Sequence, residues 1–439
     1  MSMLRFVVIL VICSLAALAD EPVGTKIHGT VLLPDGTPAE KTATAMATHG
    51  QGFVHIEEGY VRQHNGRERY YTLTDKEGRF EFAPIDFDKE GGQRFNMMLQ
   101  MQPQGEFVDF ILCFLHDAGF KRLTQQDWEA LDESKTITLE PWGRIEGTVM
   151  VGTQPGKNLP LLCYVQFNNG FGSSPFDPHV MISYSATANA SGDFTIERVP
   201  PSFVRVSRKI TYNVVVENGN RKSETSTGSH SSDVIELLPG ATEYVQIGGV
   251  GRPVIGKIVP SKEFETPPDL AFARVLCFRK PEDVGDIEFD PMVIREKLIP
   301  KKVLESGISS NQAEWLNWLL SREGQKYQAD VDKAISEASA VQRRKFEELQ
   351  KWRLCAVTKD GTFRLDDIPE GDCILLVVIE DPPQGQPGMR QAIGLLDDYE
   401  FQVPAVPDGV SDEPLNLGTL EVSPNPGGNV PVLPAALRK

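Results

Sequence analysis

Asp75-Lys76-Glu77-Gly78-Arg79-Phe80, Asn189-Ala190-Ser191-Gly192-Asp193-Phe194 and Lys359-Asp360-Gly361-Thr362-Phe363 are three versions of one signature. Each is a polar turn, a glycine, and a phenylalanine two positions on. Glycine permits the positive φ that such a turn demands. Beyond the phenylalanine the sequence alternates and then meets proline: Phe80, Phe82, Pro84; Phe194, Ile196, Pro200; Phe363, Leu365, Pro369. Alternation lays one face of a strand on a core, and proline, lacking an N–H, ends the ladder.

Upstream of each copy lies a second signature, a short strand carrying glycine: Ile27-His28-Gly29-Thr30-Val31, Ile145-Glu146-Gly147-Thr148-Val149 and Ile255-Gly256-Lys257-Ile258. These glycines are 118 and 109 residues apart, about one β-sandwich domain. A chain of 439 residues suits about three domains, and its 38 Gly and 31 Pro suit the many turns of an all-β protein. The reading is three tandem β-sandwich modules, over 22–142, 143–250 and 251–424, with a Pro- and Gly-rich disordered tail over 425–439. Buried strands are expected over 107–115, 161–167, 274–278 and 373–379, and closing strands over 136–139, 245–247 and 417–422.

The third copy is interrupted. Gly29 precedes Phe80 by 51 residues and Gly147 precedes Phe194 by 47, but Gly256 precedes Phe363 by 107. The excess, about 288–352, is rich in helix formers at 3.6-residue spacing. Ser309 with Gln312 resembles a capping box. Trp315, Trp318 and Leu319 then share one face, and a second stripe runs through Tyr327, Val331, Ile335, Ala338, Val341 and Leu349. Two antiparallel helices joined near Glu323-Gly324 are expected. Because tryptophan concentrates binding energy at interfaces, the face bearing Trp315, Trp318 and Leu319 is the candidate docking surface for a partner protein or a second copy of the chain.

The first nineteen residues read as a secretory signal peptide. Arg5 opens it, an apolar run covers 6–18, and Ala17-Leu18-Ala19 places cleavage between Ala19 and Asp20. The run is too short to span a bilayer, which takes about 20 apolar residues, and no later run is longer. The mature protein is expected to be secreted or periplasmic, with no transmembrane anchor. A formal charge of −17 argues against nucleic acid or anionic lipid as a partner. Cys113, Cys163, Cys277, Cys355 and Cys373 remain after cleavage, all in apolar stretches and none in a C-x-x-C pair. They read as small buried hydrophobes; should any two bridge, the pair belongs among Cys277, Cys355 and Cys373, which share the third module.

The glycine-bearing strand, the Pro34-Asp35-Gly36-Thr37-Pro38 turn and the D-x-x-G-x-F-x-F strand ending in proline together resemble the carboxypeptidase regulatory-like family. The resemblance covers nearly all of the mature chain except the insertion and tail, and is strongest in the first and third copies. It implies an Ig-like, transthyretin-like sandwich used as a spacer, accessory or binding module, with related sandwiches binding carbohydrate. It implies no catalytic residue and no cofactor.

Enzyme motifs find little footing. His55-Ile56-Glu57-Glu58 matches H-x-x-E, and His179 follows 124 residues after His55, but a zinc carboxypeptidase needs an α/β domain that this chain lacks. Gly251 with Gly256-Lys257 has P-loop spacing, yet Ile258 stands where magnesium needs Ser or Thr. Asp283, Asp286, Glu288 and Asp290 crowd the entry to the insertion without EF-hand spacing and read as a solvated acidic loop. Asn189-Ala190-Ser191 is a formal glycosylation sequon on an exposed turn. Sugar recognition would use exposed rings, for which Tyr60, Tyr70, Tyr71, Phe167, Phe171 and Phe176 are candidates, although such rings more commonly fill cores. The expectation is an exported, non-catalytic protein with a structural or protein-interaction role. The alternatives are a carbohydrate-binding protein and an accessory partner of a separate secreted peptidase.

Overall fold

The structure is a computed structural model describing residues 26–48, 53–64, 70–83, 110–167, 178–217, 220–280, 291–306, 312–319, 321–327, 330–331, 333–335, 353–381 and 391–428. The expected cleavage site at Ala19 and Asp20, the acidic loop 283–290, and Phe171 and Phe176 lie outside them. The protein is all-β, and no helix among the described residues is long and apolar enough to cross a membrane.

The first module contributes β1 (His28–Leu32), β2 (Ala43–Thr48), β3 (Phe53–Glu57), β4 (Tyr60–His64), β5 (Tyr71–Leu73), β6 (Arg79–Glu81), β7 (Phe110–His116), β8 (Gly119–Thr124), the short helix α1 (Gln125–Ala130) and β9 (Thr136–Thr138). A three-stranded sheet β6-β1-β9 faces a four-stranded sheet β5-β2-β7-β8. Between them pack Phe80, Phe82, Phe114, Tyr70 and Met46, with Trp128 of α1 edge-on to Phe80 at 6.2 Å. Thr124 and Asp127 cap α1 reciprocally, satisfying two N–H groups that a helix start leaves open.

The second module follows with β10 (Gly143–Val151), β11 (Gln154–Pro155), β12 (Pro160–Gln166), β13 (His179–Thr187), β14 (Asp193–Val199), β15 (Ser202–Glu217), β16 (Asn220–Ser229), β17 (Ile235–Leu237) and β18 (Thr242–Ile247). The third has β19 (Arg252–Pro260), β20 (Ala273–Arg279), α2 (Pro291–Leu298), α3 (Lys301–Glu305), α4 (Gln312–Leu319), β21 (Arg353–Ala356), β22 (Thr362–Ile368), β23 (Gly371–Glu380), β24 (Ala392–Val403) and β25 (Leu415–Pro424). All seven strands expected from the apolar runs are present.

The two signatures are cross-strand partners in every module. Gly29 lies opposite Phe80, Gly147 opposite Phe194, and Gly256 opposite Phe363. In each case the first strand also pairs in parallel with the module's closing strand. The glycine is required by what covers it: a Cβ on Gly147 would sit 2.1 Å from the Val245 carbonyl oxygen and 2.7 Å from the Phe194 ring. The turn glycine before each phenylalanine has φ of 75°, 83° and 88° at Gly78, Gly192 and Gly361, the left-handed region that glycine enters without steric cost.

Two features cross the module boundaries. The β3–β4 hairpin leaves the first module, and β3 pairs in parallel with β13 of the second, Phe53 opposite His179 through Glu57 opposite Ser183. One core accordingly runs from Ile56, Ile111 and Phe120 into Tyr184, Phe194 and Val206. The β15–β16 hairpin is longer than a sandwich needs. Its first half pairs with β12 and β17 inside the second module, and its remainder continues as an arm to the third. There Tyr212 joins Leu276, Phe278, Leu354, Ile374 and Leu376 on the outer face of the β20–β23 sheet.

The insertion departs from the expected pair of helices. Two short helices, α2 and α3, precede α4, because Pro300 has no N–H to continue the ladder and α3 restarts after it. The turn after α4 lies at Ser321, whose hydroxyl donates to the Trp318 carbonyl and accepts the Gly324 N–H. Gly324 is therefore not the joint; a Cβ there would come within 2.1 Å of the Trp318 carbonyl oxygen, so it serves close approach. Tyr327 and Val331 of the second stripe are buried, whereas Ser309, Ala338, Val341 and Leu349 lie outside the described residues. At the start of the expected tail, Asn425 is bonded to β24 through the Ile393 and Ala392 carbonyls.

Candidate functional site: the module junctions

Among the described residues, the buried side chains of Arg208, His230 and Asp367 lie where the second and third modules meet. In the second and third copies proline follows phenylalanine by six positions, against four in the first, so the signature strand is longer by two residues. These form a β-bulge: Glu197 and Arg198 together face Arg144, and Asp366 and Asp367 together face Pro253. A bulge bends the strand and re-aims a side chain. Arg198 and Asp367, each four positions past the phenylalanine, take φ of 58° and 53°. Both side chains point back to the preceding module.

At the first junction the Arg198 guanidinium donates to Asp117 at 2.8 Å and to the Tyr60 hydroxyl at 2.8 Å. It lies over the Tyr60 ring at 4.5 Å and the Trp142 ring at 5.4 Å. Trp142 in turn donates to the His116 carbonyl at 2.7 Å, and Tyr184 donates to the Arg198 carbonyl at 2.6 Å. Phe167 stacks on Phe120 at 5.9 Å.

The second junction is drier. One Asp367 oxygen accepts the backbone N–H of Gly152 at 2.8 Å and of Gly249 at 3.2 Å. The other accepts from Arg208, which also reaches Asp366 at 3.3 Å. Asp367 is 1% exposed and Arg208 7%. Burial pushes the Asp367 carboxyl upward, opposed by the Gly152 hydrogen bond, Arg208 and Gly249. Such a pair is costly to desolvate and more costly to break, because one partner then remains buried alone. Nearby, His230 Nε2 contacts the Asp366 carbonyl oxygen at 2.7 Å and Nδ1 the Ser229 hydroxyl at 2.9 Å. With a carbonyl at Nε2, that nitrogen carries the proton, and Ser229 donates to Nδ1 while accepting the Leu354 N–H at 2.8 Å. Burial first, then Arg208 and Arg353, drive the His230 pKa well below its usual value. Farther along the arm, Arg274 joins the Tyr212 hydroxyl at 3.0 Å and Glu380 at 2.8 Å.

The residues singled out by motif fare differently. Trp315 and Trp318 stack at 4.9 Å and enclose Tyr327 at 5.9 and 5.3 Å, all on the insertion's own helices, and with Leu319 they are half-buried. His55 and His179 come onto adjacent strands, and His55 Nε2 pairs with the Ser183 hydroxyl at 3.1 Å. No group of three His, Cys, Asp or Glu side chains suited to a metal occurs among the described residues. The Gly251–Lys257 segment with P-loop spacing enters and forms β19. Of the candidate sugar-stacking rings, Tyr70 is buried in the first core, Phe167 is stacked on Phe120, and Tyr60 lies under Arg198. A cleft of about 670 Å³ on the outer face of β19, β22 and β25 is lined by Lys257, Thr362, Arg364, Asn416 and Thr419. Its one ring, Phe363, is 5% exposed.

The bulge residues were missed from sequence, although the six-residue spacing from phenylalanine to proline was their signal. The Tyr212 arm had none, because a solvated β-hairpin and a docked one share the same alternation.

No family profile matches the chain, and no curated protein is similar enough in sequence to count as a relative. Among solved structures, a candidate carbohydrate-binding protein from Pseudomonas aeruginosa is 15% identical, covering 25% of this chain and 88% of its own, with a TM-score of 0.15. The minor pilin GBS52 of Streptococcus agalactiae is 10% identical over 66% of this chain and 99% of its own, TM-score 0.20. The shaft pilin SpaA of Lactobacillus rhamnosus is 9% identical over 52% of this chain and 98% of its own, TM-score 0.15.

Proposed function

We propose that this chain is an exported, non-catalytic three-module β-sandwich scaffold with a structural or protein-interaction role at or outside the cell envelope. The observation that carries the reading is the buried Arg208–Asp366–Asp367 junction, backed by the arm that seats Tyr212 on the third module. Burying one aromatic side chain there contributes about 2 kcal/mol. An interface with desolvated charges and an apolar lock fixes orientation, which a load-bearing or partner-presenting protein needs and loosely strung modules lack. The apolar run over 6–18 and the Ala17-Leu18-Ala19 that follows Arg5 support an exported location. Of the described rings proposed for sugar stacking, Tyr70 fills a core and Phe167 stacks on Phe120, while Tyr60 stays 52% exposed beside Arg198, which leaves the carbohydrate reading second.

The test is small-angle scattering on the mature protein beside fractionation of expressing cells. A scattering profile fitted by one rigid body, from material recovered outside the cytoplasm, is the expected result. A profile that requires modules moving independently, or a protein retained in the cytoplasm, overturns the reading.

A further inference from the structure

Cys277 on β20 and Cys373 on β23 occupy neighbouring antiparallel strands. The register sets Cys277 opposite Leu375 and Arg279 opposite Cys373, which makes the two cysteines diagonal neighbours. Both face the third module's core, at 3% and 2% exposure. Strand twist shortens one diagonal of an antiparallel pair, and here the two thiols are near enough to shift each other's ionisation, Cys277 upward and Cys373 downward. The neighbouring Cys277 and then the Arg279 guanidinium favour the Cys373 thiolate against the cost of burial. Cys355, opposite Val275 on β21, lines the same core from the other side of β20. Cys113 and Cys163 lie in separate sheets of the first two modules.

We propose that Cys277 and Cys373 form a disulfide that staples β20 to β23 when the folding chain meets a disulfide-bearing oxidant. The Cys373 thiolate attacks one sulfur of the oxidant's disulfide, giving a mixed disulfide and releasing one thiolate that takes up a proton. Cys277 then loses its proton to solvent and attacks the Cys373 sulfur, expelling the second oxidant thiolate, which is protonated in turn. Two protein thiols are oxidised and one external disulfide is reduced to two thiols. Both sulfurs are shielded in the folded module, so the exchange belongs to folding or to local opening. The bond would close a loop of nearly a hundred residues, the kind of closure that most restricts an unfolded chain, and it would span the sheet on which the Tyr212 arm docks.

The experiment refolds the full chain from denaturant with oxidised glutathione, blocks remaining thiols with N-ethylmaleimide, and maps non-reduced peptides by mass spectrometry. A linked pair containing Cys277 and Cys373, with Cys113, Cys163 and Cys355 alkylated, is expected. The link should persist in Cys355→Ser. Reduction should lower the Tm of the wild-type protein by about 5–10 °C and leave that of Cys373→Ala unchanged. Alkylation of both Cys277 and Cys373 after refolding, or a link from Cys277 to Cys355, overturns the proposal. Because the oxidant is supplied in the tube, this result does not depend on where the cell places the protein.

Discussion

Asp367 of the third module accepts the Gly152 N–H of the second at 2.8 Å, and Arg198, its counterpart in the second module, reaches back to Asp117 of the first at 2.8 Å. Both sit at the same bulge position with left-handed backbone. The charges are opposite and the partners differ, yet the device is one: an added pair of residues turns a side chain out of its own sheet and into the neighbouring module. The first copy runs from Phe80 to Pro84 without the extra pair.

Asp367→Asn should destabilise the second junction by about 2–4 kcal/mol. The amide oxygen can still accept from Gly152 and Gly249, but its NH₂ would then face Arg208, donor against donor. Asp366 remains near Arg208 and limits the loss. Urea unfolding monitored with a probe in each module checks this. The third module should unlock first, and a variant as stable as wild type would show that the pair contributes no net stability.

Arg198→Ala should cost about 1–3 kcal/mol, combining a lost charged hydrogen bond, lost packing on Tyr60 and Trp142, and alanine's poor fit to positive φ. Arg198→Gly separates these causes, since glycine relieves the backbone without restoring the contacts. A glycine variant that recovers most of the stability would assign the site to backbone conformation and not to its grip on the first module.

Gly147→Ala tests the signature pairing. The new Cβ would press on the Val245 carbonyl and the Phe194 ring, both fixed by β10's neighbours. The expected loss is at least about 2 kcal/mol. Calorimetry of the purified variant reads it directly, and a Tm within a degree of wild type would mean the strand can shift to make room.

Much of the fold was legible because Gly29, Gly147 and Gly256 and their phenylalanine partners meet a steric need that recurs in every copy: each glycine is covered by one ring and one strand. The two-residue lengthening before Pro200 and Pro369 was equally visible, but a spacing does not say where a side chain turns. The β3–β4 hairpin was assigned to the first module on sequence order alone. Its transfer to β13 depends on the edge that strand leaves open, and edges are a property of the assembled sheet. Pro300 was also there to be read as a helix breaker, and α2 ends at Leu298, two residues before it.

Replacing Trp315 and Trp318 together by alanine addresses the insertion. The stacked pair and Tyr327, whose hydroxyl donates to the Arg295 carbonyl of α2, tie α4 to its neighbours. The helical circular dichroism should fall while the β modules keep their Tm within about 2 °C, because long surface insertions carry little of a core's stability. If the same variant also loses a binding partner that wild type retains in a pull-down, the face doubles as a docking surface. Collapse of the third module would instead make both rings part of its core.

His230 should make the second junction sensitive to acid. Its folded pKa lies well below the unfolded value near 6.5, so protons bind the unfolded chain first. The stability this difference represents is fully present above that value and is lost as pH falls through the folded pKa, at about 1.4 kcal/mol per pH unit for one proton. The groups facing the ring are Arg208 on β15, Arg353 on β21, and Asp366 and Asp367 on β22. Asp367, with its carboxyl pushed upward, has the opposite sign: it gains relative stability as pH falls through its folded pKa toward 3.8. Comparing wild type with His230→Gln isolates the imidazole. Gln can accept from Ser229 or donate to the Asp366 carbonyl, and it does not titrate. Melting curves from pH 7.5 to 5 (about one unit above the unfolded pKa to well below it) should show wild type losing Tm steadily below pH 6.5. The variant should start lower and remain flatter. Parallel curves for the two proteins would mean that His230 is protonated alike in folded and unfolded chains, and that the junction's acid response lies elsewhere.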